Sequence, residues 1–245
     1  ALVGCAFLGP WILMTRPQAI VVSRWGLYSI RSVATYGAML AMIYGIAHVP
    51  IADVTSLLLT TPLVTVLLAA TFLGEKVGLH RWAALVVGCA GALLIIRPGF
   101  ATVTFASVAG LAAALGYGIA NASTKALTRT DHPDVVAFWM YGLIVPLSLP
   151  AAIWHWTTPS WADMPVILFL GAATIMSQFC MSRALASADT SVVLPAYYLQ
   201  MPFSAGCALL LFDEVPAAIV WLGAAVIAGS AYYTALRERR AGKAG

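Results

Sequence analysis

The chain has 245 residues, 62% of them hydrophobic and only 9% charged, with a mean hydropathy of +0.92 and a formal charge of +4. Soluble domains carry about 25% charged residues, so a water-soluble globule is excluded; 20 Gly, 13 Pro and 4 Cys exclude collagen-like, disordered and disulfide-scaffold chains as well. What remains is a polytopic membrane protein with room for about nine or ten helical spans.

In chain order, apolar runs bounded by charges, Pro and Gly predict spans at residues 1–14, 32–48, 52–73, 80–96, 104–124, 135–154, 164–183, 190–212 and 216–235. The runs are continuous and about twice the length of a β-barrel strand. The predicted class is therefore all-α, a polytopic membrane helical bundle of nine visible spans. The connection before the second span, residues 15–31, reads as a basic surface segment with Ile20, Val21, Trp25 and Leu27 on its apolar side. Trp25, Tyr28, Trp154, Trp156 and Trp161 sit near span ends and fit aromatic belts. Cys5, Cys89, Cys180 and Cys207 have no metal-ligand spacing and read as small apolar residues.

The third run holds Thr60, Thr61 and Pro62, and the eighth holds Tyr197, Tyr198, Gln200 and Pro202. A proline inside a span removes a backbone donor and frees a carbonyl, which in a membrane needs a partner or a cavity. Pro62 and Pro202 are thus candidate hinges or cavity markers, against simple curvature of a packed helix, and the hydroxyls and amide beside them are candidate substrate contacts. The fifth run places Tyr117 and Asn121 on one face, together with Ala114, Gly118 and Ala122 at the small-residue spacing of close helix packing. Asn121 faces either a cavity or that interface. Gln178, mid-span, is either interhelical glue or a substrate contact. Glu75 and Glu214 close the third and eighth runs, as structural hydrogen-bond acceptors or as gate residues. No ionisable side chain falls at the middle of a predicted span, so no buried proton relay is expected.

With nine spans and a cytoplasmic C-terminus, twelve of the 13 Lys and Arg fall in inner connections and Arg97 alone lies outside. The +4 charge is therefore an orientation signal. No basic stripe with interleaved aromatics is present, so nucleic acid is not an expected partner.

The chain also repeats. Leu73-Gly74-Glu75 with Trp82 recurs as Phe212-Asp213-Glu214 with Trp221, an offset of 139, and Pro62 answers to Pro202 near the same offset. This divides the chain into a first repeat at residues 1–103, a second at 104–240 and a cytoplasmic tail at 241–245. A second copy of five spans predicts that the first begins about 35 residues before Ala1, giving a ten-span protein whose odd-numbered halves insert with opposite topology. The first of those ten helices is then missing from this chain.

Ala47-His48-Val49-Pro50-Ile51-Ala52, Leu57-Leu58-Leu59-Thr60-Thr61-Pro62, Leu73-Gly74-Glu75-Lys76 and Trp82 through Arg97-Pro98-Gly99 resemble the EamA domain of the drug/metabolite transporter superfamily. Pro195 through Pro202 and Phe212 through Pro216 resemble its second copy, with Asp213 where Gly usually precedes the Glu. The resemblance implies an inverted-repeat bundle with a central cavity that alternates its opening. Taken with the residues above, the expected function is a carrier for a small neutral, zwitterionic or aromatic metabolite such as an amino acid, vitamin or drug-like solute. It is expected in a bacterial inner membrane, as a monomer or homodimer, without cofactor or metal. An intramembrane enzyme would need a nucleophile with a His or Asp in reach, which no predicted span interior supplies. A scaffold or sensor would need a docking segment, and residues 15–31 are the only candidate.

Overall fold

The computed structural model describes residues 5, 9, 10, 12, 14, 22, 24–49, 51–96, 105–154, 158–212 and 218–241. Glu214, Arg97, Trp156, Asp213, residues 242–245 and much of the first predicted span lie outside the described residues. Among the described ones the elements are helical: α1 Trp25–His48, α2 Ile51–Leu58, α3 Thr61–Phe72, α4 Leu79–Ile96, α5 Phe105–Leu127, α6 Pro133–Trp154, α7 Met164–Ser187, α8 Thr190–Val193, a 3-10 segment Leu194–Leu199, α9 Gln200–Phe212 and α10 Ala218–Ala241. Three of these, α1, α6 and α7, are long and apolar enough to cross a membrane. Phe169 (72% exposed) and Ile153 (72%) stand out from them among many exposed apolar side chains. Surfaces of that kind suit lipid, and the chain is a multi-pass membrane protein.

Three boundaries differ from expectation, each for a local reason. Helix α1 starts at Trp25, so Arg31 lies within a helix instead of in the connection before it. A single charge does not end a helix when its guanidinium finds a carbonyl, and the Arg31 Nη1 donates to Val136 O at 2.6 Å. The third predicted span is not continuous: it breaks at Leu59 and Thr60 into α2 and α3. Pro62 therefore sits in the first turn of α3, where its missing N–H costs nothing, and not in mid-helix. The eighth span breaks likewise into α8, the 3-10 segment and α9, with Pro195 opening the 3-10 segment and Pro202 in the first turn of α9. Pro146 and Pro150, by contrast, lie inside α6.

The fold comprises two compact units. Residues Ala1–Gly37 with Ala120–Ser187 form the first, and Ala38–Ile119 with Ala188–Gly245 the second. In the first, Val22, Tyr28, Leu127, Val135 and Val136 form one buried cluster, and Ile12, Met140 and Tyr141 another. The Tyr141 hydroxyl ties α6 to α7 through Thr174 O at 3.0 Å. In the second unit, small residues let helices approach closely. A Cβ on Gly91 of α4 would meet the Gly223 carbonyl oxygen of α10 at 3.1 Å, and one on Gly118 of α5 would meet Val64 Cγ1 of α3 at 2.5 Å. Gly118 thus packs as its small-residue spacing predicts.

Candidate functional site

In the second unit the two helix breaks meet. The Tyr198 hydroxyl, on the 3-10 segment, donates to Leu59 O at the α2–α3 break at 3.1 Å. These residues are 139 apart, the offset of the sequence repeat. The Cys89 thiol approaches the same carbonyl at 3.9 Å. An interrupted membrane helix must re-satisfy its freed carbonyls from neighbours, and Tyr198 does this for Leu59. Thr60 Oγ1 turns back onto Leu57 O at 2.7 Å, and Thr65 Oγ1 onto Thr61 O at 2.8 Å. Thr61 is buried, and its own Oγ1 has no partner.

The remaining candidates around the breaks are less enclosed. Tyr117 is half-buried and its hydroxyl lies 3.9 Å from Met42 Sδ; Tyr197 and Pro202 are half-buried, and Gln200 is exposed. Asn121 and Gln178 are half-buried residues of the first unit. Thr60, Thr61 and Tyr198 are therefore brought together, whereas Asn121 and Gln178 are housed with other neighbours.

Tyr198 is fully buried. Removing only its hydroxyl, in Tyr198→Phe, keeps the ring and leaves the Leu59 carbonyl without this donor. The expected cost is about 1 kcal/mol, read as a lower melting temperature of the detergent-solubilised protein.

Glu75 is held by a turn at Gly74. Gly74 adopts φ 69°, a conformation other residues resist, and the Glu75 N–H reaches back to Ala69 O at 3.2 Å. The buried carboxylate accepts the Thr190 N–H at Oε2 and the Thr190 hydroxyl at Oε1, both at 3.0 Å. Beside it, Arg81 Nη1 donates to Asp189 Oδ2 at 3.0 Å and Ser191 Oγ at 3.1 Å. The connection after α3 is thereby fastened to the start of α8.

The first unit carries a polar cluster of its own. Arg183 donates to both oxygens of buried Asp134, from Nε at 2.9 Å and Nη2 at 3.0 Å, and its guanidinium stacks 4.1 Å from the Phe179 ring centroid. Tyr28 donates to Asp131 Oδ2 at 2.8 Å, and Lys125 Nζ to Leu185 O at 2.8 Å. Arg31 is the largest fully buried side chain, at 1% exposure. Its Nη1 goes to Val136 O and its Nη2 to Met140 Sδ at 3.4 Å. Sequence reasoning missed this residue because it took every charge as a mark of water.

Among the described residues no group of His, Cys, Asp and Glu is placed to hold a metal ion. The sequence profile of the EamA-like transporter family matches residues 1–97 and 104–236. The chain is 32% identical over 201 residues to a riboflavin transporter of Rhizobium johnstonii, covering 82% of this chain and 67% of that one. It is 26% identical to a pseudopaline exporter of Pseudomonas aeruginosa, over 88% of this chain and 77% of that one. It is 23% identical to an S-adenosylmethionine uptake transporter of Rickettsia bellii, over 95% and 80%. A crystal structure at 18% identity superposes with a TM-score of 0.83, covering 97% of this chain and 85% of that one, and shares its fold.

Proposed function

We propose that this chain, which belongs to the EamA-like transporter family of the drug/metabolite transporter superfamily, carries a small organic metabolite across a bacterial inner membrane by alternating access. The observation that carries this reading is the pair of interrupted helices, α2–α3 and α8–α9, bridged by Tyr198 and Leu59 at the repeat offset. Discontinuous helices in corresponding places of two halves are where inverted-repeat carriers build their sites, because only there does unwound backbone offer polar groups at depth. Two consecutive matches to the family profile support division into repeats at residues 1–103 and 104–240. On this reading the nine spans belong to a five-plus-five inverted repeat with its C-terminus in the cytoplasm. Thr60, Thr61, Tyr117, Asn121, Gln178, Tyr197, Tyr198 and Gln200 supply hydrogen bonds to the cargo, with Pro62 and Pro202 as hinges and Glu75 and Glu214 as gate residues.

The relatives include both uptake and export proteins, so cargo and direction are tested together. Proteoliposomes bearing the chain are assayed with labelled riboflavin, S-adenosylmethionine and pseudopaline, in both directions. Saturable flux of one of them is expected, collapsing in Gln178→Ala and Tyr198→Ala at equal protein incorporation. No flux across this panel and a wider set of amino acids and vitamins would overturn the reading.

A further inference from the structure

Arg31 and Ser32 are adjacent on α1, and both carry buried polar atoms with nothing to bind. The Arg31 Nε and the Ser32 Oγ have no hydrogen-bond partner, although both side chains are 1% exposed. The orphaned Nε is the lesser anomaly. A buried guanidinium is ordinarily matched by a carboxylate, since an uncompensated charge in a low-dielectric interior is costly. Among the described residues Arg31 forms no ion pair: its partners are a carbonyl and a thioether on α6. The acids of the same unit have other partners: Asp134 has Arg183 and His132, Asp131 accepts from Tyr28, and Asp163 accepts from Ser160. Fastening α1 to α6 would need only a neutral donor. The positive charge is the part that no contact among the described residues uses.

An open cavity lies beside Ser32, and Arg31, its neighbour in sequence, is not one of the walls. The cavity measures about 280 Å³ and is lined by Ser29, Ser32, Val33, Leu143, Pro146 and Leu147, all from α1 and α6 of the first unit. Ser32 is thus both a wall of the cavity and the bearer of an unpartnered hydroxyl. Pro146 adds to its polarity, because a proline there leaves the Gly142 carbonyl without its helical donor. Ser29 adds a second hydroxyl to the walls, and Val33, Leu143 and Leu147 are apolar.

We propose that this cavity is a subsite for the anionic group, carboxylate or phosphate, of a small organic ligand whose apolar part lies against Val33, Leu143 and Leu147. Ser29 and Ser32 donate hydrogen bonds to the anion, and Arg31 supplies the countercharge. That the ligand is cargo rests on the carrier reading. The subsite narrows that reading to solutes bearing a negative group, zwitterions included, and leaves out the neutral ones.

Benzoate and benzamide are suitable probes, since they share a ring and differ in the charge. Calorimetric titration of the purified full chain in detergent is expected to show benzoate binding about tenfold or more tightly than benzamide, as a charge-assisted hydrogen bond warrants. Arg31→Gln should bring benzoate down to the level of benzamide and leave benzamide unchanged. Ser32→Ala removes a hydroxyl that bonds nothing, so it folds normally, and it should weaken benzoate severalfold. It decides the matter if Arg31→Gln does not fold. Equal binding of the two probes, binding of neither, or a preference unchanged in Ser32→Ala overturns the subsite. Failure of the carrier reading is separate: benzoate preference with no flux in vesicles leaves a binding site without transport, whereas flux without benzoate preference overturns the subsite alone.

Discussion

Gly88→Leu is expected to yield no folded, monodisperse protein, while Gly88→Ala folds but melts earlier. A Cβ at this position of α4 would lie 2.7 Å from Tyr198 Cδ2, 3.1 Å from Cε2 and 3.2 Å from Ser230 Oγ. The Tyr198 ring cannot swing aside cheaply, because it is fully buried and its hydroxyl is held by Leu59 O. One extra carbon in such a place costs about 1–3 kcal/mol. Leucine asks the same space to accept three more, and the strain falls on the bridge between the two helix breaks. Fluorescence-detected size-exclusion chromatography after stepwise heating measures both variants. Shrinking the ring in Gly88→Ala/Tyr198→Leu should make the pair less damaging than the sum of the single changes, by about 0.5–3 kcal/mol. Gly91→Ala is the control. Its Cβ meets the backbone oxygen of Gly223, so shrinking Tyr198 should not relieve it.

The same region shows what a sequence reveals and what it hides. Where Pro, Gly and charge cluster, helix limits are legible: residues 80–96 were expected and Leu79–Ile96 is observed, and 135–154 became Pro133–Trp154. The end of the third run at Glu75 was legible too, whereas the left-handed Gly74 that turns the chain there was not. The error at Pro62 and Pro202 came from reading each apolar run as one helix. Hydropathy is indifferent to a break when a buried tyrosine can satisfy the freed carbonyl, and that tyrosine lies 139 residues away. Arg31 escaped for the complementary reason, because its acceptor Val136 is 105 residues distant. Pairings over such distances leave no periodic trace. The candidate residues beside the prolines were legible as a type, hydroxyls next to a helix interruption, but their burial was not. Tyr198, expected to face a cargo, is enclosed and braces the breaks in this conformation.

Glu75 is where the structural and gating roles can be separated by measurement. Thr190 is fully buried, and its N–H and hydroxyl both end on the Glu75 carboxylate. Glu75→Ala strands two buried donors, each worth about 1–3 kcal/mol when left unsatisfied, so a loss of about 3 kcal/mol is expected in thermal unfolding of the solubilised protein. Glu75→Gln keeps one acceptor oxygen but turns an NH2 group towards the other donor, and should lose roughly half as much. Asp189→Ala should cost less than either, because Asp189 is half-exposed and its pair with Arg81 is screened. These differences isolate the fastening of α8 from general surface charge. Flux then distinguishes the roles. If Glu75 only fastens, the folded fraction of Glu75→Gln transports at the unmodified rate and flux falls in step with folding. If the contact must open and close in each cycle, the folded fraction is itself slowed or freed, and the initial rate per folded molecule changes. We expect the second outcome, because the contact joins the connections that flank both interrupted helices, α3 and α8, so its release is the local step that lets the two breaks move apart.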